Sequence, residues 1–374
     1  MSCKFIRLYL IVGINFFQRY SLLKAGVNGR IMEAFDINEN ANDVYEHNFG
    51  HRPVQGNIQN LTALVLDGYI AHAWILSPPC QPYTRQGHQK DFEDARAASF
   101  IKILKLMQKM SHPPNIFFVE NVVGFETSET HNIMMLILAN LNFVSQEFIL
   151  SPSQFGVPYS RPRYFCLAMV KRSEFLSQSS VNTLVYSPAI LFDDNADAVL
   201  NVNDDNDHQD TSQQSCETLE NFLDFRNSGN HLITKSGYLT ISSNGGLMNA
   251  DGAINTMNEY FVPLNVIERW GNAMDIIYPC SKRCCCFTKN YYRYVKGTGS
   301  LFATAQPHGD EVCSSLKEKR LRYFTPKEIA RLHSFPDDFQ FPSHISLKQQ
   351  YALLGNSLSI AVVAPLLRYL FSEP

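Results

Sequence analysis

Short apolar runs alternate with helical patterns through the first 170 residues, and no other feature restricts the fold so tightly. Runs that suit buried strands cover 7–14, 30–35, 73–76, 116–119, 145–150 and 164–168. Between them, 40–48, 95–110 and 131–141 carry the period of helices. Alternation of this density predicts an α/β fold built on a doubly wound, parallel sheet. Such sheets bind their ligands beyond the carboxyl ends of the strands, and the residues able to do chemistry in this chain fall at those ends.

The stretch Ser77-Pro-Pro-Cys-Gln-Pro-Tyr-Thr-Arg85 directly follows the apolar run at 73–76. Its prolines fix φ and withdraw backbone donors, so it is a stiff loop that presents Cys80 to a cleft at low entropic cost. Taken alone, a thiol beside such a turn packs as readily as it reacts. Residues 116–119 deliver Glu120-Asn-Val122 in the same way. A poorly solvated carboxyl there has its pKa raised and remains a proton donor near neutral pH, although an ion-pair partner is the plainer reading. In Ser160-Arg-Pro-Arg163, extended chain points Arg161 and Arg163 the same way, toward one anionic or carbonyl-bearing ligand or into a surface ion pair.

The formal charge of −3 conceals an uneven distribution. Residues 173–225 contain eleven acidic side chains and no Lys or Arg; the rest of the chain is left with 32 basic and 24 acidic groups, a net of +8. A mildly basic remainder permits nucleic-acid binding through a local patch. Composition divides the chain into 1–170, a polar insertion at 171–255 that is loosely held at least over 190–220, a smaller lobe at 256–320, and a C-terminal return at 321–374 onto the first part. Thr325-Pro-Lys-Glu328 marks a helix start. Nine scattered cysteines suit a reducing compartment. Three of the four at 280–286 are consecutive, which a single tetrahedral zinc site cannot easily use, so no metal is expected. The apolar run at 8–17 is too short to span a bilayer and is read as a first strand.

In order and spacing, Pro-Cys-Gln at 79–81, Glu-Asn-Val at 120–122, Arg-x-Arg at 161–163 and Gly-Asn-Ser at 355–357 resemble the cytosine-5 methyltransferase family. Cys286-Phe-Thr288 and the run 321–328 narrow the resemblance to its branch that is shaped like a DNA methyltransferase but modifies tRNA-Asp. The resemblance covers about 30–170 and 260–372. It implies an S-adenosylmethionine-dependent methyltransferase with a Rossmann-like sheet and a smaller target-recognition lobe. It further implies that the Cys80 thiolate adds to cytosine C6 while Glu120 protonates or hydrogen-bonds N3. Asn121 would fix the loop, and Arg163 with Arg161 would engage the base carbonyl and a neighbouring phosphate. On the cofactor side, Asp36 is placed to bond the ribose hydroxyls, Asn57, Ile58 and Gln59 match the adenine segment, and Ser77, Asn356 and Ser357 lie where the family contacts cofactor.

The first loop departs from the family pattern. Where an aromatic-Ser-Gly-x-Gly-Gly motif is expected, the glycine pair falls on Phe16-Phe17, and only Gly13 survives nearby. Two aromatic residues deny the close backbone approach that glycine allows. Either the loop has been lost, or residues 1–19 stem from an alternative start or a mis-joined exon; in both cases the chain as written is expected to bind S-adenosylmethionine weakly or not at all. Three functions compete: a tRNA methyltransferase, favoured; a DNA cytosine methyltransferase; and a catalytically impaired tRNA-binding protein. The expected setting is a monomer in nucleus and cytoplasm, with tRNA, tRNA-Asp by resemblance, as partner and no membrane.

Overall fold

The computed structural model describes residues 6–11, 16–80, 95–170, 181–192, 216–224, 231–233, 239–241, 258–304, 316 and 319–372. Eight strands form the central sheet: β1 (Ile6–Ile11), β2 (Gly29–Asp36), β3 (Val54–Gln55), β4 (Ala73–Leu76), β5 (Ile116–Val122), β6 (Phe143–Leu150), β7 (Arg163–Val170) and β8 (Leu184–Val185), in the spatial order β3-β2-β1-β4-β5-β7-β6-β8. All four residues of β4, and Phe117 to Asn121 of β5, are buried, as strands covered on both faces must be. Helices α1 (Phe16–Ala25), α2 (Glu39–Phe49), α3 (Ala63–Asp67), α4 (Ala95–Met107) and α5 (Glu129–Asn140) connect or cover them.

β1 to β5 run parallel, as expected, but β7 is antiparallel to both of its neighbours, β5 and β6. Its first residue, Arg163, therefore reaches the edge of the sheet where β4 and β5 end: Val122 pairs with Arg163, and Leu76 with Val119. The chain leaves β1 toward β2 on one side and re-enters at β4 on the other, so the switch point of the sheet lies between β1 and β4.

Beyond the sheet, β9 (His231–Ile233) and β10 (Leu239–Ile241) pair with each other, and α6 (Leu264–Trp270) precedes a second, small sheet of β11 (Ile276–Ile277), β12 (Leu301–Ala303) and β13 (Leu321–Arg322). Arg322 pairs with Phe302, so 321–322 belongs to the small sheet rather than to the C-terminal return. The Arg322 guanidinium is fully buried and grips Glu328 through two 2.8 Å bonds. Thr325 caps α7 (Pro326–Leu332) with Glu328 closing a capping box, the start expected from the sequence. The chain then returns through α8 (Leu347–Asn356) to α9 (Ile360–Phe371), which covers α1.

The polar insertion is not loose throughout. β8 adds an edge strand to the central sheet. Residues 216–224 dock through Leu219, which is wholly buried, and through Asp224, which accepts from Thr325 Oγ1 at 2.7 Å and Arg331 Nη1 at 2.8 Å. Most of the stretch expected to be loosely held, 193–215, lies outside the described residues.

Candidate functional site

Three strand termini meet at one edge. Ser77 and Cys80 follow β4, Glu120 sits near the end of β5, and Arg163 opens β7. Arg163 Nε lies 3.5 Å from Glu120 Oε1, and the Ser77 hydroxyl bonds the same carboxyl. Burial pushes the Glu120 carboxyl above its ordinary range, with Arg163, Arg161 and Ser77 pulling it partly back. Cys80 shares this surrounding. Burial raises its thiol, and the Glu120 charge adds to the effect, while Arg163 and Arg161 oppose it. A thiol, a carboxyl inclined to keep its proton and a guanidinium thus converge at one edge of the sheet. Such a trio can deliver a soft nucleophile to one atom of a flat ring and hydrogen bonds to its edge.

One expected role changes. Arg161 does not face a ligand: it is 3% exposed, and its Nη1 donates to Phe287 O at 3.0 Å and Cys286 Sγ at 3.1 Å, with Tyr159 Oη at 3.5 Å. Its Nη2 donates to Gly355 O at 2.9 Å. With those acceptors it is a strut tying β7 to 286–287 and to α8, not a hand on a phosphate. Burial works against its charge, but Tyr159, Cys286 and Glu120 outweigh that and hold it protonated. Asn121 pairs with Tyr164 while Glu120 pairs with Phe165, so alternation turns Asn121 to the opposite face of the sheet from Glu120. There its Oδ1 accepts its neighbour Val122's amide at 2.8 Å, which shapes the strand end and leaves the substrate to others.

Around Arg161 stand residues with no chemical role assigned above. Burial raises the Cys286 thiol, but Arg161 and Arg163 more than reverse this, so it lies below its ordinary value. His333 is fully buried and its pKa is pushed down to about 3 by burial and by Arg161. It is therefore neutral: Nδ1 donates to Ile329 O at 2.9 Å, and Nε2, at 3.3 Å, accepts from the Tyr159 hydroxyl. Gly355 shows why this position needs glycine. A Cβ there would fall 2.2 Å from Lys289 N and 2.2 Å from Thr288 C. Cys286 and Gly355 stand in motifs that carry the family resemblance, but no local signal gives their part around Arg161, because each meets a partner more than a hundred residues away.

On the cofactor side Asp36 ends β2 with 9% exposure, and burial pushes its carboxyl up to about 6, against backbone bonds from Asn38 and Ile37. Asn57 is exposed and its Oδ1 caps the turn at Gln59 N, 2.9 Å; Ile58 is buried; Gln59 Nε2 donates to Ser99 Oγ at 2.8 Å. That segment is thus fastened to α4. Ser357 turns its hydroxyl back to Leu353 O at 2.9 Å, away from any ligand, while Asn356 is exposed.

The loop 12–15 lies outside the described residues, but the two aromatics after it do not. Phe16 and Phe17 open α1 and are wholly buried. The Phe16 ring stacks on Phe339 at 5.0 Å and packs on Phe335 at 5.4 Å, so the C-terminal segment takes it up. The next residue, Gln18, is also wholly buried; its Nε2 donates to Ser77 Oγ at 2.8 Å, and its Oε1 has no partner among the described residues. An unmet buried carbonyl costs about 1–3 kcal/mol. An acid at the end of β2 and an unfilled acceptor at the switch point fit the two ends of an adenosyl amino acid.

Comparison with known proteins agrees with this geometry. A family model described as C-5 cytosine-specific DNA methylase matches residues 10–372. A human protein named tRNA (cytosine(38)-C(5))-methyltransferase is 33% identical, covering 94% of this chain and 95% of its own length. A Dictyostelium discoideum protein named DNA (cytosine-5)-methyltransferase is 35% identical, covering 94% and 91%. The crystal structure of the S. pombe Dnmt2 methyltransferase superposes with a TM-score of 0.75 at 27% identity, covering 98% of each chain.

Proposed function

The chain belongs to the C-5 cytosine-specific methylase family, enzymes that use S-adenosylmethionine as methyl donor, and we propose that its substrate is a cytosine in tRNA, in the anticodon loop of tRNA-Asp. Relatives named for cytosine 38 of tRNA support the substrate class. The observation that carries the chemistry is the ordering of Ser77, Glu120 and Arg163 around one carboxyl beside Cys80.

Cys80 must first give up its proton, since the thiolate is the nucleophile. Its sulfur then bonds to C6 of the ring. The C5–C6 double-bond electrons shift to C5, while Glu120 donates a proton or hydrogen bond at N3 and limits the charge that builds up on the ring. Arg163, paired with Glu120, keeps that carboxyl in place and lies close to the ring's polar edge. Asp36 would hold the ribose of the methyl donor and Ser77 would border its sulfonium end. S-adenosylmethionine supplies an electrophilic methyl group for the activated C5. With S-adenosylhomocysteine as the leaving thioether and a water molecule taking the C5 proton, the electron pair returns to the ring, the C6–S bond breaks and Cys80 is released as thiolate. A target base must be out of its stack to reach a buried thiol, which is less costly in an RNA loop than in a duplex.

The test is radiolabelled methyl transfer to tRNA and to duplex DNA, with tRNA containing 5-fluorocytidine to trap the adduct on a denaturing gel. Transfer to tRNA and a trapped complex are expected, both absent in Cys80→Ala. Transfer to duplex DNA alone supports the DNA reading suggested by the Dictyostelium relative, and a trapped complex in Cys80→Ala refutes the mechanism.

A further inference from the structure

Gln18 is a polar side chain in a wholly buried position on α1, and half of its amide is unused. Which half is fixed by its neighbour. Gln18 Nε2 donates to Ser77 Oγ at 2.8 Å, and the same hydroxyl bonds the Glu120 carboxyl. With the NH2 engaged at Ser77, the carbonyl is the end left without a partner among the described residues. That carbonyl lies beside the residue that ends β4, at the switch point of the sheet. Asp36 ends β2, with β1 between the two, a span of two strand spacings, roughly 10 Å. A nucleoside whose ribose rests on Asp36 therefore extends its 5′ substituent across β1 toward Gln18. The group that needs a lone acceptor at that end of S-adenosylmethionine is the α-ammonium.

We propose that the Gln18 carbonyl binds the α-ammonium of the methyl donor, with Ser77 holding the amide in place for it. This rests on the family's cofactor and on Asp36 as its ribose site, and it assigns to Gln18 a contact that the missing glycine pair does not provide. It also links the two halves of the active site, because Ser77 touches Gln18 on one side and Glu120 on the other.

Isothermal titration with S-adenosylhomocysteine and with 5′-methylthioadenosine, which lacks the amino-acid head, isolates the contact. Gln18→Met keeps the volume and removes the acceptor. The variant is expected to bind S-adenosylhomocysteine roughly ten- to a hundredfold more weakly, the range of a bond to a charged group, with methylthioadenosine binding unchanged. Its ligand-free melting temperature should change little, because relief of the unmet carbonyl offsets loss of the amide bond to Ser77 Oγ. Equal weakening of both ligands, or no weakening of either, overturns the proposal. So does a wild-type protein that binds methylthioadenosine but not S-adenosylhomocysteine. A wild type that binds neither overturns the cofactor site itself along with it.

Discussion

Gly355→Ala sets two effects of opposite sign against each other. Gly355 lies in the last turn of α8, and alanine in a helix interior is favoured over glycine by about 1 kcal/mol. Propensity alone thus predicts a more stable protein. The structure predicts the reverse, because the new methyl would stand 2.2 Å from Lys289 N, 2.2 Å from Thr288 C and 2.5 Å from Thr288 O. These are backbone atoms, not the ends of flexible side chains, so relief requires α8 and the 286–289 segment to separate by about an ångström. With contacts this short the upper end of the roughly 1–3 kcal/mol cost of overpacking applies, which leaves a net loss of about 2 kcal/mol and, for a chain of this length, a fall in Tm of roughly 2–3 °C. The catalytic loss should be larger than the stability loss. Arg161 binds Gly355 O on one side and Phe287 O and Cys286 Sγ on the other, so it cannot hold both when they part. Misplacement by an ångström can cost on the order of a hundredfold in rate. Single-turnover methyl transfer and a thermal melt on the same preparation measure both. A variant with unchanged or raised Tm and a rate within twofold of wild type would refute the close-packed hinge.

Asp36→Asn should stabilise the ligand-free protein at pH 8 but not at pH 4. Its carboxyl is raised from 3.8 to about 6, so its contribution to stability is present below about 4 and lost as pH rises through 6, a difference of roughly 3 kcal/mol. Denaturant melts at both pH values test this, and an equal shift at both sinks it; weaker adenosine-ligand binding should accompany the gain. Glu328→Gln should lower stability by about 3–5 kcal/mol, since it strands the buried Arg322 charge, whereas the double change Arg322→Met with Glu328→Leu should cost less. Urea midpoints in which the double variant is worse than the single one would contradict that.

Cys80, Glu120 and Arg163 were legible in the sequence because each needs only a local pattern: an apolar strand and a polar residue at its end. The parallel sheet was legible for the same reason, up to β7. That strand's direction depends on pairing with β5 and β6, which an apolar run does not encode. Helix α1 was hidden because 8–17 reads as one apolar run, and Phe16-Phe17 serve a helix only by burial against 335–341. The Arg161 strut was beyond any local reading, since its partners are 125 to 194 positions away. A pair of arginines on one face looks the same whether it awaits a ligand or the protein's own carbonyls.

The Arg161 strut also bears on when the protein becomes an enzyme. A chain still emerging from the ribosome already contains Cys80, Glu120 and Arg163 once its first 170 residues are out. The carbonyl that seats Arg161 belongs to residue 355, 194 positions later. Chains that stop short of residue 355 carry every residue of the reactive trio but leave the strut behind it unmoored, so methyl transfer doubles as a report that the chain has been made at least that far.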